Sequence, residues 1–392
     1  MNKKVLLVGC GSEIGSMLLS MNDKTKDKYL IDTVITNKIS SSKKSFKENM
    51  DSIFARLVLC NPQMIDKATI DYKKEILIIG KRKIKIFFGD IKNFNLNKLK
   101  KKFDATIVAT SKKHISNKKI MSKFLRVSRL VFGVAESENL ASIYPNLINI
   151  KSKVFGSVPA TTQNYKEKIF ALGSCQSNGW QAQLRGVIEI FKNNNLKNFK
   201  MLSTQLDIVH PDTPQGRFGT KSNKPREQEA RNNFRPSFSQ AKISMKKLFP
   251  NSNKVHTVSL RTLISPPGYQ IARFYFKYEL KNKKRINREI IINELKKFSK
   301  KSPDILRVEE GTLGSRAYEM SETAAVILVD KQYIYYNEDP FLTNSKKTKE
   351  ENICELITQG YVHNTRGYCR SVLNSIKKII TEKKKKPVYC WK

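Results

Sequence analysis

Five consecutive residues, Ser174-Cys175-Gln176-Ser177-Asn178, carry the strongest chemical signal in the chain. A strand-like run at 168–172 precedes them and a helix-like run at 181–191 follows, which places a cysteine at the start of a helix. There the unpaired backbone N–H groups and the positive end of the helix dipole face the sulfur, and both favour thiolate over thiol. The thiolate is the form that attacks carbonyl carbon. A buried structural cysteine is the competing reading for any single Cys, and the rest of the chain decides between the two.

The elements that must position this cysteine begin at the N-terminus. Val5-Leu6-Leu7-Val8 is all apolar, as a parallel strand buried on both faces requires. Gly9-Cys10-Gly11-Ser12-Glu13-Ile14-Gly15 follows at once, and 16–19 continues as helix. Strand, glycine-rich turn and helix in that order is the setting a dinucleotide needs, because the turn lets backbone approach a pyrophosphate and the helix end supplies N–H groups. The spacing is G-x-G-x-x-x-G, one residue longer than the commonest form. Gly9, Gly11, Glu13, Ile14 and Gly15 are therefore the candidate cofactor-binding turn. A second strand is expected over 29–36, and residues 75–89 read as a hairpin turning near Gly80. The buried strand at 105–110 ends in Thr110-Ser111, small polar residues at the strand end where open α/β sheets bind ligands. With further strands at 129–134 and 168–172, the first half reads as doubly wound α/β.

The second half changes character. Strands at 201–210, 257–264, 270–280 and 322–336 are longer and partly alternating, as in an antiparallel sheet. Helices are expected at 180–192, 226–247 and 286–300, with a last one at about 367–381. The polar stretch 211–226 reads as a long loop.

Composition narrows the function classes. Lys and Arg number 74 against 34 Asp and Glu, a formal net charge of +40. Such a surface attracts anions: phosphorylated substrates, nucleotides and, nonspecifically, nucleic acid. The lysine runs at 98–102 and 383–386 read as solvated faces or tail, and no aromatic residues interleave with them to stack bases. The six Cys form no C-x-x-C pair and the four His no zinc-like spacing, so a reducing compartment and no metal are expected. No apolar run approaches membrane-spanning length, and the N-terminal one is too short for a signal-peptide core. The expectation is a soluble, cytoplasmic protein of two domains with no membrane partner.

Across nearly its full length the chain resembles the glyceraldehyde-3-phosphate dehydrogenase family. The family carries S-C-T-T-N at its nucleophile, where this chain has Ser174-Cys175-Gln176-Ser177-Asn178. The family's H-A-Y-T is similar to His210-Pro211-Asp212-Thr213, and its N-E-W-G-Y-S to Asn364-Thr365-Arg366-Gly367-Tyr368-Cys369. Its E-A-T-G is similar to Val108-Ala109-Thr110-Ser111, and its F-R-V-P-T to Leu260-Arg261-Thr262. Each match is short; their shared order, with suitable strands between, makes the resemblance specific. It implies a Rossmann-type NAD(P)-binding domain over 1–174 and an α+β catalytic domain with an antiparallel sheet over 175–350. Over 351–392 it implies a C-terminal helix packed on the first domain, then a basic tail.

The same resemblance implies an aldehyde dehydrogenase that works through a thioester. Cys175 attacks the aldehyde and His210 takes its proton. Hydride passes to the nicotinamide of NAD or NADP, which Asn364 orients, and phosphate releases an acyl phosphate. The Cys175 backbone N–H, with the His210 imidazolium, serves the oxyanion. Arg261 holds a substrate phosphate, with Ser174 and Thr213 as further phosphate contacts. A homotetramer is implied as well. Other aldehydes stay open, among them erythrose 4-phosphate or a semialdehyde, as does a degenerate paralogue that binds nucleotide or nucleic acid.

Three departures from the family pattern matter. His210 lies farther from Cys175 than the family spacing, so an insertion around 192–200 is needed; without it the position facing Cys175 is Leu206 or Asp207. The family's A-S-T-G-A-A-K is only loosely echoed by Pro236-Ser237-Phe238-Ser239-Gln240-Ala241-Lys242, without the Thr-Gly pair that binds attacking phosphate, so hydrolysis competes with phosphorolysis. The second strand runs into Asn37-Lys38-Ile39-Ser40-Ser41-Ser42-Lys43 with no acid for a ribose diol, so Lys38, Ser40 and Lys43 are candidates for a 2′-phosphate and NADP is expected to be accepted.

Overall fold

The computed structural model describes residues 3–38, 45–150, 155, 159–161, 167–211, 234–249, 254–262, 264, 266–279, 285–311, 313–336, 351–381 and 388–392. They form a mixed α/β molecule with two principal sheets. Among the described residues no helix is long and apolar enough to cross a membrane.

The first sheet uses β1 (Lys3–Val8), β2 (Tyr29–Thr36), β3 (Ala68–Asp71), β4 (Ile76–Ile79), β5 (Arg82–Phe88), β6 (Phe103–Val108), β7 (Ser128–Gly133), β8 (Ala141–Ser142) and, after the short β9 (Ala160–Thr161), β10 (Ile169–Ala171). Their spatial order is β3-β4-β5-β2-β1-β6-β7-β10-β8. From β5 to β8 every neighbouring pair is parallel, and the β3-β4-β5 edge is antiparallel, with the expected hairpin between β4 and β5. The alternation of β1 explains its all-apolar sequence. Val5 and Leu7 pack on one face with the helices Glu13–Met21, Phe46–Cys60 and Arg366–Thr381, while Leu6 and Val8 pack on the other with Val108 and Phe124. The chain leaves β1 for β2 on one side and reaches β6 on the other. The strand order therefore reverses between β1 and β6, and the crevice beyond their C-terminal ends is where such sheets take ligands.

The second sheet uses β11 (Lys197–Pro211), β12 (Phe234–Pro236), β13 (Val255–Thr262), β14 (Gly268–Glu279), β15 (Leu306–Glu309), β16 (Ala325–Leu328), β17 (Tyr333–Tyr336) and β18 (Glu351–Val362). Its order is β12-β13-β11-β14-β18-β16-β15, with β17 also on β18. The expected antiparallel sheet is in fact mixed: β11 pairs with β13, and β15 with β16, in parallel. Between β11 and β13 the chain passes through β12 and the helix Ala241–Leu248, a crossover long enough to bring it back in the same direction.

Three further expectations change. The helix expected over 226–247 is confined, in its described part, to Ala241–Leu248; Pro236, which has no N–H and a fixed φ, lies in strand β12 instead. The strand expected over 322–336 is split into β16 and β17 by a short 3-10 turn at Val329–Lys331. β18, unforeseen in the sequence because Glu351, Asn352, Glu355 and Gln359 dilute its apolar pattern, is a central strand between β14 and β16. The final helix Arg366–Thr381 returns to the first sheet, where Tyr368, Cys369, Val372, Leu373 and Ile376 join the core around Val5 and Leu7. The end of the chain, read as tail, is packed: β19 (Tyr389–Cys390) pairs with β9, and Trp391 is buried against Tyr144 at 5.3 Å.

Candidate active site

β10 is followed by Leu172 and then Gly173, whose φ of +74° turns the chain sharply. Ser174 caps the helix Cys175–Asn193 and accepts the Ser177 N–H at 3.2 Å. Cys175 is thus the first residue of that helix, as expected. The Tyr368 hydroxyl donates to the Gly173 carbonyl at 2.7 Å and ties the C-terminal helix to this turn.

Cys175 Sγ lies 3.8 Å from His210 Nε2. The helix runs to Asn193, β11 begins at Lys197, and the end of β11 brings His210, not Leu206 or Asp207, to the sulfur. Leu206 is fully buried, and Asp207 is paired with Arg273. His210 Nδ1 faces both the Pro211 carbonyl oxygen, which only accepts, and the Arg261 guanidinium, which only donates; with the proton on Nδ1 toward Pro211, the Nε2 lone pair faces the sulfur. The parallel register sets Arg261 of β13 directly beside His210, with Arg261 Nη1 3.2 Å from His210 Nδ1 and 3.5 Å from the Pro211 oxygen.

The electrostatics correct the expectation of a standing thiolate. The residue is half-buried, but its sulfur is enclosed, and burial pushes the Cys175 thiol up to about 11. The Arg261 guanidinium and the backbone N–H groups of Gln176 and Cys175 pull it down, while Glu13 pushes it up. Loss of water around the sulfur outweighs what the helix end provides. Burial thus favours the thiol, and attack by the sulfur calls for a base within reach.

The glycine turn has the shape a dinucleotide backbone requires. Gly9 has φ +98°, and a Cβ there would lie 2.6 Å from Thr110 Cγ2 and 2.7 Å from the Ala109 oxygen. A Cβ on Gly15 would lie 1.9 Å from the Gly9 oxygen. Ser12 caps the helix Glu13–Met21 and donates to the Ala109 oxygen at 2.9 Å, locking turn to strand end. A cleft of about 550 Å³ opens here, lined by Gly9, Gly11, Thr36, Lys38, Thr110 and His114 among others. A second cleft of about 330 Å³ is lined by Glu13, Ile14, Ser174, Cys175, His210, Arg261 and Asn364. Consecutive residues line the two: Gly11, Ser12 and Ser111 the first, Glu13, Ile14 and Lys112 the second, so the nucleophile's cleft lies next to that of the glycine turn.

Three buried polar atoms of residues lining these clefts have no partner among the described residues: Thr110 Oγ1, His114 Nδ1 and Asn364 Nδ2. Asn364 Oδ1 accepts from Gln176 Nε2 at 2.7 Å, which leaves its amide N–H₂ as the free donor. A tight glycine cradle, and orphaned polar atoms along the cleft walls, fit a nicotinamide dinucleotide. Lys38 lines the β2 end of the first cleft; Ser40 and Lys43 lie outside the described residues, as does Thr213.

Residues near these motifs in sequence fall into structural roles. Trp180 is fully buried, donates to Thr204 Oγ1 at 3.3 Å and stacks on Phe274. Cys369 is buried against the Ile14 oxygen, and burial pushes its thiol far up. Phe238 and Ser239, in the place of the family's Thr-Gly pair, line the second cleft beside Gln240.

Sequence reasoning missed two supporting networks. Gln176, Gln183, Gln270 and Thr358 are fully buried and linked side chain to side chain, holding Gln176 against Asn364. Their polarity in otherwise apolar elements is the only signal the sequence offered. The second is a buried ion pair, Lys247 with Glu136 at 3.2 Å, in a loop and a helix that no motif marked. No family model matches the chain, and no curated protein matches it.

Proposed function

We infer that the chain is an NAD(P)-dependent aldehyde dehydrogenase acting through a Cys175 thioester, as the resemblance to the glyceraldehyde-3-phosphate dehydrogenase family implies. The observation that carries the reading is the 3.8 Å approach of Cys175 Sγ to His210 Nε2 in a cleft whose lining residues Glu13 and Ile14 directly follow the glycine turn's Gly11 and Ser12. His210 Nε2 takes the thiol proton as the sulfur bonds to the aldehyde carbon. Backbone N–H groups at the start of the helix Cys175–Asn193 stabilise the negative oxygen that forms. Arg261 pairs with an anionic group on the substrate, a phosphate first. Asn364 Nδ2 holds the nicotinamide carboxamide, and the glycine turn of a Rossmann-type first domain cradles the pyrophosphate. The cofactor, when bound, supplies the hydride acceptor. Lys38 at the end of β2, with no acid there, supports acceptance of NADP beside NAD. A cytoplasmic homotetramer belongs to the same reading.

The test is a panel of glyceraldehyde 3-phosphate, erythrose 4-phosphate and semialdehydes with each cofactor, followed by absorbance of the reduced nicotinamide. Turnover lost in Cys175→Ser supports the reading. No reduced cofactor with any aldehyde rejects it.

A further inference from the structure

Behind Ser174 runs an unbroken file of hydroxyl groups that ends on a carboxylate. Ser174 Oγ is 2.8 Å from Ser177 Oγ, and Ser177 Oγ is 2.8 Å from Ser244 Oγ. Ser244 Oγ in turn meets Glu136 Oε2. Ser177, Ser244 and Glu136 are fully buried, and only Ser174 reaches the cleft beside Cys175. The other carboxylate oxygen, Glu136 Oε1, accepts from the Ser137 N–H at 3.0 Å, Ser142 Oγ at 2.6 Å and Lys247 Nζ at 3.2 Å.

The carboxylate fixes the direction of every proton in the file. An ionised carboxylate only accepts, so Ser244 donates to Glu136. A hydroxyl has a single proton, so Ser244 must accept from Ser177, and Ser177 from Ser174. Ser177 Oγ has its second lone pair filled by the Ser174 N–H at 3.3 Å, which leaves no room for the reverse arrangement. Ser174 has then given its proton inward and received the Ser177 N–H at 3.2 Å. What it turns to the cleft is a lone pair. A lone pair repels the unprotonated, charged oxygens of a phosphate and accepts from the O–H of water. The rest of the acceptor side agrees. The Glu13 carboxylate lines the same cleft. The Gln240 side-chain oxygen, next in sequence to Phe238 and Ser239 where the family's Thr-Gly pair falls, is engaged with the Glu136 N–H at 3.1 Å.

We propose that Ser174, polarised by Glu136 through Ser177 and Ser244, selects water as the acceptor of the Cys175-bound acyl group, so that the product is a carboxylic acid and not an acyl phosphate. The inference rests on the thioester reading and specifies its second half. Water donates one proton's hydrogen bond to Ser174 and bonds its oxygen to the thioester carbon. The C–S bond breaks, and its electron pair goes to the Cys175 sulfur. His210 Nε2 takes the proton that water loses and returns it to that sulfur; the acid product ionises to solvent. Ser177, Ser244 and Glu136 are positioning residues that act through Ser174.

The acylation half can be bypassed with p-nitrophenyl acetate, which transfers an acetyl group to a reactive cysteine without cofactor. Steady-state p-nitrophenol release then reads deacylation, and the acetate and acetyl phosphate formed are measured across a titration of inorganic phosphate. In the wild type the rate is expected to be independent of phosphate, with acetate as product and ¹⁸O from labelled water in its carboxylate. In Ser244→Ala the Ser177 proton loses its inward acceptor and turns to Ser174, whose own proton then faces the cleft. The ratio of acetyl phosphate to acetate should rise about tenfold or more, since a hydrogen bond to a charged group changes sign. Ser177→Ala, which breaks the file one step nearer the cleft, should give the same shift and stands in if Ser244→Ala folds poorly. Phosphate-dependent turnover with acetyl phosphate as the wild-type product overturns the inference while leaving the thioester reading intact. An unchanged product ratio in both variants overturns the positioning role. Absence of a Cys175-dependent burst removes both readings together.

Discussion

The ionisation of Cys175 can be tested without knowing any substrate. Burial pushes this thiol up to about 11, where an ordinary one ionises near 9. At about pH 8 roughly one sulfur in a thousand is then ionised, against about one in ten for an ordinary thiol, so alkylation by iodoacetamide should run about a hundredfold slower. The rate should climb about tenfold per pH unit, with no plateau before about pH 10. Two substitutions give opposite signs. Glu13 raises the value, so Glu13→Gln should speed labelling at a fixed pH; Arg261 lowers it, so Arg261→Gln should slow labelling. The assay is mass-spectrometric counting of modified Cys175 after timed exposure, with the more deeply buried Cys369 as an internal reference. A plateau near pH 7 in the free protein would refute the reasoning. It would mean that the sulfur gives its proton to His210 in the resting state, and that pairing within 3.8 Å outweighs the loss of water.

The remaining predictions follow from single contacts. His210→Ala leaves the thiol without its base, so formation of the acyl-enzyme should slow by about two to four powers of ten while fluorescence titration shows nicotinamide dinucleotide binding unchanged. Gly15→Ala drives a Cβ to 1.9 Å from the Gly9 oxygen, and the turn must open. Thermal unfolding should report a loss of about 3 kcal/mol, and dinucleotide binding should disappear with it. His363 is buried, and burial lowers its value from 6.5 to about 4, with the Glu319 carbonyl opposing and Arg366 assisting. The folded state holds it neutral, so its contribution is complete above about pH 6.5 and is lost as pH falls toward 4, about 3 kcal/mol in all. Urea midpoints at those two pH values should converge in His363→Gln, because the glutamine has no proton to gain.

Much of the first sheet was legible because its strands are buried on both faces. A run such as Val5-Leu6-Leu7-Val8 has no other use in a globular chain, and the glycines after it mark the turn by what a Cβ would strike. The site was legible in the same way wherever a residue's chemistry has few structural substitutes. Cys175 lies at the first turn of a helix and His210 lies at the end of its strand, beside Arg261 in register. What escaped was set by pairing between distant segments. β18 has polar residues among its apolar ones and is a strand only through its pairing with β14 on one edge and β16 and β17 on the other, so its pattern is too weak to read before its neighbours are known. The sulfur's ionisation escaped for the same reason, since a helix start is a local feature and burial is not. Glu136 is the sharpest case. It lies in a short loop after β7, and nothing in Ala135-Glu136-Ser137 separates it from a surface acid. Its partner Lys247 is 111 residues away, and Ser244 shares one face of a short helix with that lysine. Only when the two sheets' connecting segments close on each other does the carboxylate acquire its cation, its hydroxyl file and its line to Ser174. A motif can therefore name the atom that attacks an aldehyde, because that atom's chemistry is its own. The choice of what later attacks the thioester lies in the direction of three protons, and that direction is fixed by a charge placed across the fold.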